Sequence, residues 1–329
     1  MQPILNRLAA LCAAFFLCAA PAGAASTWPS GPIRLVVPYG AGGSLDVIAR
    51  VLATGLTAEL GRGVIVENAP GGDGTVGVHR TLLARPDGYT FLVAISSNVT
   101  LPPLINASVD YHVSDLAAVA KVGTSGIVLA GRPDLKANTL PELAALSKTV
   151  KGGLTYGTLG VGSMQHLSML GVSTQAGIDA LLVPYNAAAQ IASDVMGGHL
   201  DLISAGLPSL VPLIQQGKLK AYAVMSHDRD IGDPDIPALG EIPGLENLNF
   251  DLWTGVFAPK KTPQPIVQAM NQAIAKVLAK QEVIEQYRSL GVKTAQPMTP
   301  EAFSDFVLSD EKQMRELVQK AGIGRDSAK

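Results

Sequence analysis

Residues 33 to 66 constrain the fold more than any other stretch of this chain. Ile33 to Val37 is a short β-branched-rich run of the kind that fills a buried strand. It is followed at once by a glycine-rich turn and then by Ser44 to Leu60, where Leu45, Ile48, Ala49, Leu52 and Leu56 recur on one helical face. Val64 to Val66 reads as the next strand. A strand, a loop, a helix and a second strand in so few residues is the unit from which layered α/β folds are built.

The alternation continues. Thr75 to Ala84 reads as helix, Thr90 to Ile95 and Ala118 to Val122 as strands, and Thr139 with Glu142 as the capping box of a helix near 140 to 148. Strands are expected at Leu154 to Tyr156, Leu181 to Pro184, Leu202 to Ser204 and Leu219 to Met225. Helices are expected between them at Ser163 to Gln175, Ala187 to Met196 and Leu207 to Gln216. Asp228 to Gly244 is rich in Pro, Asp and Gly and reads as loop. Leu252 to Ala258 is one more strand, and helices begin at Thr262 with Pro263, at Glu282 and at Thr299 with Pro300 and Glu301. The last helix carries Phe303, Phe306, Val307, Met314, Leu317 and Val318 on one stripe. No internal repeat is visible. The expected fold is α/β with mostly parallel sheets, and 329 residues allow about two domains.

The first 25 residues belong to a different category. Arg7 is their only charge, Leu8 to Ala20 is apolar, and Ala22, Gly23 and Ala24 form a small-residue cleavage site, the pattern of a secretory signal. Both cysteines, Cys12 and Cys18, lie inside it, so the expected mature chain has no thiol for catalysis, disulfides or metal. Its charge changes from 25 − 27 = −2 to 24 − 27 = −3. With 5% aromatic residues and no basic excess, nucleic acid is not an expected partner. An exported, periplasmic protein is.

Two loops are candidates for chemistry. Pro38 to Asp46 places Gly40, Ala41, Gly42 and Gly43 ahead of the helix begun by Ser44. Unobstructed N–H groups at a helix start attract anions; the same residues also suit a tight turn with Ser44 as N-cap. Gly157 to His166 repeats the arrangement in the other half of the chain. Two such loops suggest two half-sites facing one cleft outside the carboxyl ends of parallel strands. His166 is either a donor to an anion or a packed cap residue. A third loop, Ala94 to Thr100, offers Ser96, Ser97 and Asn98.

Catalytic patterns are missing. The histidines, His79, His112, His166, His199 and His227, show no metal-binding spacing. No G-x-S-x-G elbow occurs and no carboxylate pair stands out. Asp46 is better placed to orient backbone amides than to transfer protons. No metal or cofactor is expected, and the residues point to a binding protein.

The segments PIRLVVPYGAGGSLDVIAR, VIVENAPGGDGTVGV, RPDGYTFL, GVGSMQHL, LLVPYNAA, GGHLDL, LPSLVPLIQQGKLKAYAV and FAPKKTP occur in that order. Together they resemble the tripartite tricarboxylate transporter receptor family, the Bug proteins, over about Trp28 to Ile323. The resemblance implies a two-lobed periplasmic binding protein with a hinge, expected to be monomeric, holding a small carboxylate for membrane permease subunits. One lobe would combine residues 26–124 with 253–329 and the other would hold 125–252. Ligand contacts would come from Tyr39, Ala41, Gly42, Gly43, Ser44, Asp46, Ser97, Asn98, Gly162, Ser163, His166, Tyr185, Asn186, Ser204 and Ala205. Asn98 stands where the family often has His, Asn186 where it has Lys or Arg, and Ser204 to Gly206 where it has Phe-Asp-Asn. The last two departures remove charge near the cleft: either the missing basic and acidic residues pair with each other in relatives, or they touch the ligand, in which case monocarboxylates are favoured. A ligand-sensing partner of a membrane histidine kinase and an exported α/β hydrolase are the alternatives; the latter would need Ser163 or His166 for activity.

Overall fold

The computed structural model describes residues 28–161, 163–231 and 234–321; the expected leader and Gly162 lie outside them. Strand β1 (Ile33–Val37) leads into helix α1 (Ser44–Leu60), β2 (Val64–Asn68), α2 (Thr75–Leu82) and β3 (Thr90–Ile95). Two single-turn helices, α3 (Ser96–Val99) and α4 (Pro102–Ile105), precede β4 (Leu116–Ser125). Then come β5 (Ile127–Gly131), α5 (Leu140–Ser147), β6 (Leu154–Thr158), α6 (Met164–Ala176), β7 (Ala180–Pro184), α7 (Ala188–Met196), β8 (Leu202–Gly206), α8 (Leu207–Gln215) and β9 (Lys220–Val224). The chain closes with β10 (Leu252–Pro259), α9 (Gln264–Leu278), α10 (Gln281–Ser289), β11 (Val292–Thr294) and α11 (Pro300–Ala321).

The strands form two sheets, ordered β11-β4-β10-β3-β1-β2 and β7-β6-β8-β5-β9. The fold is α/β as expected, but the sheets are mixed rather than mostly parallel. β1 is parallel to β2 and β3, and β6 to β7 and β8, whereas β10 and β5 run antiparallel to both of their neighbours and β11 antiparallel to β4. Each sheet therefore has three parallel strands, then an antiparallel strand, then a fifth, and the first sheet adds β11 as a sixth. Periodicity reports burial and not direction, so the antiparallel insertions leave no trace in the sequence. β5 was not expected at all: the expected strand stopped at Val122, ahead of the turn-like Gly123 to Gly126, whereas β4 runs on to Ser125 and Gly126 alone separates it from β5.

The alternation of side chains along the first sheet explains how it is held. Leu35, Val37, Phe91 and Val93 face a core that continues into the second sheet, while Val36, Leu92 and Ala94 face a second core with Val78, Trp253, Phe257 and Phe303. Both faces are dry, as strands with parallel neighbours require. The aromatic rings of the second core pack edge-on or tilted, Trp253 against Phe303 at 5.9 Å and Phe257 against Phe303 at 5.4 Å between centroids. In α1 all five expected apolar residues are buried, and the helix ends where Gly61 adopts φ +62° and donates to the Thr57 carbonyl. Tyr287 of α10, fully buried, donates its hydroxyl to the Ile48 carbonyl of α1 at 3.0 Å.

Candidate functional site

The carboxyl ends of the parallel strands converge. Beyond β1 the chain passes Gly42, at φ +78°, before α1 starts with Gly43 as N-cap. The N-cap is thus Gly43 and not Ser44, and no side chain caps this helix start. The Gly42 N–H donates to Asp46 Oδ2 at 2.9 Å. Asp46 also accepts Nε and Nη2 of Arg50 at 2.8 and 2.9 Å and Nδ2 of Asn68 at 2.9 Å, and Asn68 reaches back to the Tyr39 carbonyl. Burial opposes ionisation of Asp46. The hydrogen bonds from Arg50, Gly42 and Asn68 and the Arg50 charge outweigh it and hold the carboxyl below its ordinary range. Asp46 therefore braces the loop, and the Gly42 amide, expected to face an anion, is already engaged. The anion-receptive groups of this loop narrow to the N–H groups at the start of α1.

Ser44 looks toward the other sheet. Its hydroxyl donates to the Gly206 carbonyl at 2.7 Å and lies 3.2 Å from Ser209 Oγ. Gly40 explains how the loops come so close: a Cβ there would stand 2.8 Å from Cβ of Ala187. Between the loops is a cavity of about 20 Å³, enough for one water-sized group. Tyr39, Gly43, Ser44 and Ile95 line it from the first sheet and Leu159, Gln165, Ala188 and Gly206 from the second, with Ser125 and Leu252 at the crossing between them. Among its described lining residues none is charged.

The other expected contacts are dispersed around this cavity. Ala41 and Gly42 are solvent-exposed. Ser97 and Asn98 are fully buried in α3, a helical turn where a loop was expected. Asn98 accepts the Ile95 N–H, and its carbonyl receives the Tyr111 hydroxyl at 2.7 Å. Ser163 caps α6 by accepting the His166 N–H, and its hydroxyl donates to the Gly160 carbonyl. Burial lowers the His166 pKa, which keeps the imidazole neutral at pH 7. Tyr185 donates its hydroxyl to Asp194, a bond that with burial raises its pKa to about 12, and Asn186 is exposed. Ser204 is buried and donates to the Gln165 carbonyl at 2.9 Å; Ala205, next along β8, is buried in the core.

Gln165 and Ser125 were missed. Gln165 sits beside the more conspicuous His166, in the first turn of α6. A residue there borders the strand ends whenever a helix follows such a loop, and that position was its only signal. Its Oε1 is buried with no hydrogen-bond partner, as are the hydroxyls of Ser96, Ser97 and Thr158 near the ends of β3 and β6. Of these, Gln165 lines the cavity; buried polar atoms without partners are rare, and one at a cleft marks where a polar ligand would be received.

Residues 48–323 match the model of the tripartite tricarboxylate transporter family receptor. The structure superposes on that of the periplasmic binding protein BugD with a TM-score of 0.84 at 31% identity, covering 90% of this chain and 99% of that one. It is similar to MatC from Rhodopseudomonas palustris with bound malate, TM-score 0.81 and 26% identity over 88% of this chain and 100% of the other. It is also similar to the R. palustris protein Rpa4515 with adipate, TM-score 0.84 and 25% identity over 90% and 99%.

Proposed function

The chain belongs to the tripartite tricarboxylate transporter receptor family, and on that premise we propose that it captures a small carboxylate in the cavity between its two sheets and presents it to membrane permease subunits. The observation that carries the reading is the meeting at one cavity of the uncapped, glycine-bounded start of α1 and the buried, unpartnered amide oxygen of Gln165 from the second sheet. The first supplies partial positive charge for a carboxylate, and the second supplies a neutral polar group for the remainder. With no charged lining residue, one carboxylate is the charge this cavity suits; a second would be buried without a cation.

In this reading residues 26–124 and 253–329 form one lobe and 125–252 the other, with the hinge where β4 passes into β5 and where β10 begins. Strand membership supports that division, since the first sheet draws on residues 33–125 and 252–294 and the second on 127–224. A cavity of about 20 Å³ is smaller than any carboxylic acid, so the ligand enters by separating the walls and is then enclosed. Export through the leader at 1–25 places the mature chain in the periplasm, as a monomer and without catalytic activity. Against a hydrolase stands the use of the Ser163 hydroxyl in capping α6.

Native mass spectrometry of protein purified from the periplasm of its own host tests this. A retained mass that matches a small carboxylic acid and is released on unfolding is expected. A retained cation, sugar or peptide would overturn the carboxylate reading, and an N-terminus at Met1 in that extract would overturn export.

A further inference from the structure

Gln165 is the one lining side chain that brings an amide to the cavity, and its Oε1 is buried without a partner although the residue is 2% exposed. Its position is fixed from behind, because its main-chain carbonyl accepts the buried Ser204 hydroxyl and its helix is capped by Ser163. A fixed, desolvated acceptor costs the fold stability unless something donates to it. The Ser44 hydroxyl, on the opposite wall, is already committed to the Gly206 carbonyl. The space between the walls admits one oxygen-sized group.

Resting on the carboxylate reading above, we propose that Gln165 is the specificity-determining residue of the site and that it selects carboxylates bearing a hydroxyl, which donates to its Oε1. The carboxylate is held at the start of α1, and the hydroxyl, a neutral donor, is held by α6. A ligand with hydrogen or methyl in place of that hydroxyl leaves the amide oxygen buried and unpaired. Such a site rejects it more strongly than it would reject a mere difference in size.

The test uses the mature protein and four matched pairs of acids: lactate and propionate, 3-hydroxybutyrate and butyrate, malate and succinate, 4-hydroxybenzoate and benzoate. Calorimetric titration is expected to show at least one hydroxylated member binding about tenfold or more tightly than its partner. In Gln165→Met, which keeps the volume and removes the acceptor, that difference is expected to disappear through weaker binding of the hydroxylated acid, with the deoxy acid unchanged. Equal affinity within every pair in the wild type overturns the role of Gln165 and leaves the carboxylate reading intact. So does a preference that survives Gln165→Met. A preference for the deoxy member would mean that no polar group of the cavity receives the hydroxyl, and also overturns the inference. Binding of none of the eight acids overturns both readings. Wild-type discrimination is read independently of whether the variant folds.

Discussion

The hydroxyl of Ser44 donates to the carbonyl of Gly206 across 2.7 Å, joining the first residue of α1 to the last residue of β8, 162 positions later. This contact runs directly between the two sheets beside the cavity. Ser44 caps no helix, and both partners of its hydroxyl, the Gly206 carbonyl and Ser209 Oγ, lie on the other wall, so its loss bears on how closely the walls approach.

Ser44→Ala is therefore expected to fold with an unchanged denaturation midpoint while favouring wall separation. One neutral hydrogen bond is worth about 1 kcal/mol, about a fivefold change in the balance of closed and open forms. Small-angle scattering should show a larger radius of gyration than the wild type in the absence of added acid. Equal radii would mean that the bond does not help to hold the walls together.

Gly40→Leu is expected to obstruct closure sterically. A Cβ at this position already falls 2.8 Å from Cβ of Ala187, and the backbone is not in the left-handed region, so the strain arises between the walls and not within the loop. Overpacking of about 1 to 3 kcal/mol corresponds to about five- to 150-fold weaker binding. Titration with whichever acid gives the largest thermal shift in the wild type measures it. Unaltered affinity would place the binding site elsewhere.

Asp46→Asn is expected to reduce stability in a pH-dependent way. The folded-state pKa of Asp46 is lowered, so its contribution is fully present above the unfolded value near about pH 4 and is lost as pH falls through the folded value. Denaturant titration should find the variant about 1 to 3 kcal/mol less stable at pH 7. The gap should narrow as pH falls below about 4. A gap that stays constant or widens toward pH 3 would contradict the assigned role of the Arg50, Gly42 and Asn68 contacts.

Tyr287→Phe isolates a purely structural bond. The hydroxyl is fully buried and donates to the Ile48 carbonyl, and its burial pushes the phenol pKa upward. Its removal should lower the denaturant midpoint by an amount equivalent to about 1 kcal/mol, with an unchanged slope and unchanged binding of any acid. A change in affinity without a change in midpoint would show that α10 communicates with the cavity.

Much of this was legible in the chain. Ser44 to Leu60 could be delimited from its apolar spacing, and β1 and β3 from their apolar runs, because burial imposes those patterns directly. The two glycine-rich loops could be located because each stands between an apolar strand run and a helical pattern. What could not be read was pairing. Nothing in LWTGVFAP states that β10 lies between β3 and β4, and the shared arrangement of the two sheets has no counterpart in repeated residues. Gln165 was passed over because an amide acquires meaning from its surroundings, and only the fold buries its oxygen beside Ser44 and Gly206.

The position of β10 also bears on the order in which the chain can fold. Every strand of the second sheet lies between residues 127 and 224, so that sheet can be completed from one uninterrupted stretch as the polypeptide emerges N-terminus first. The first sheet cannot. β3 and β4 must keep their facing edges unpaired until residues 252–259 arrive from the last third of the chain to fill the gap between them. During that interval two apolar strand edges stand open as templates for pairing with other chains. The hazard is greatest for a nascent chain that stalls between residues 224 and 252, and it ends when the eight residues of β10 dock.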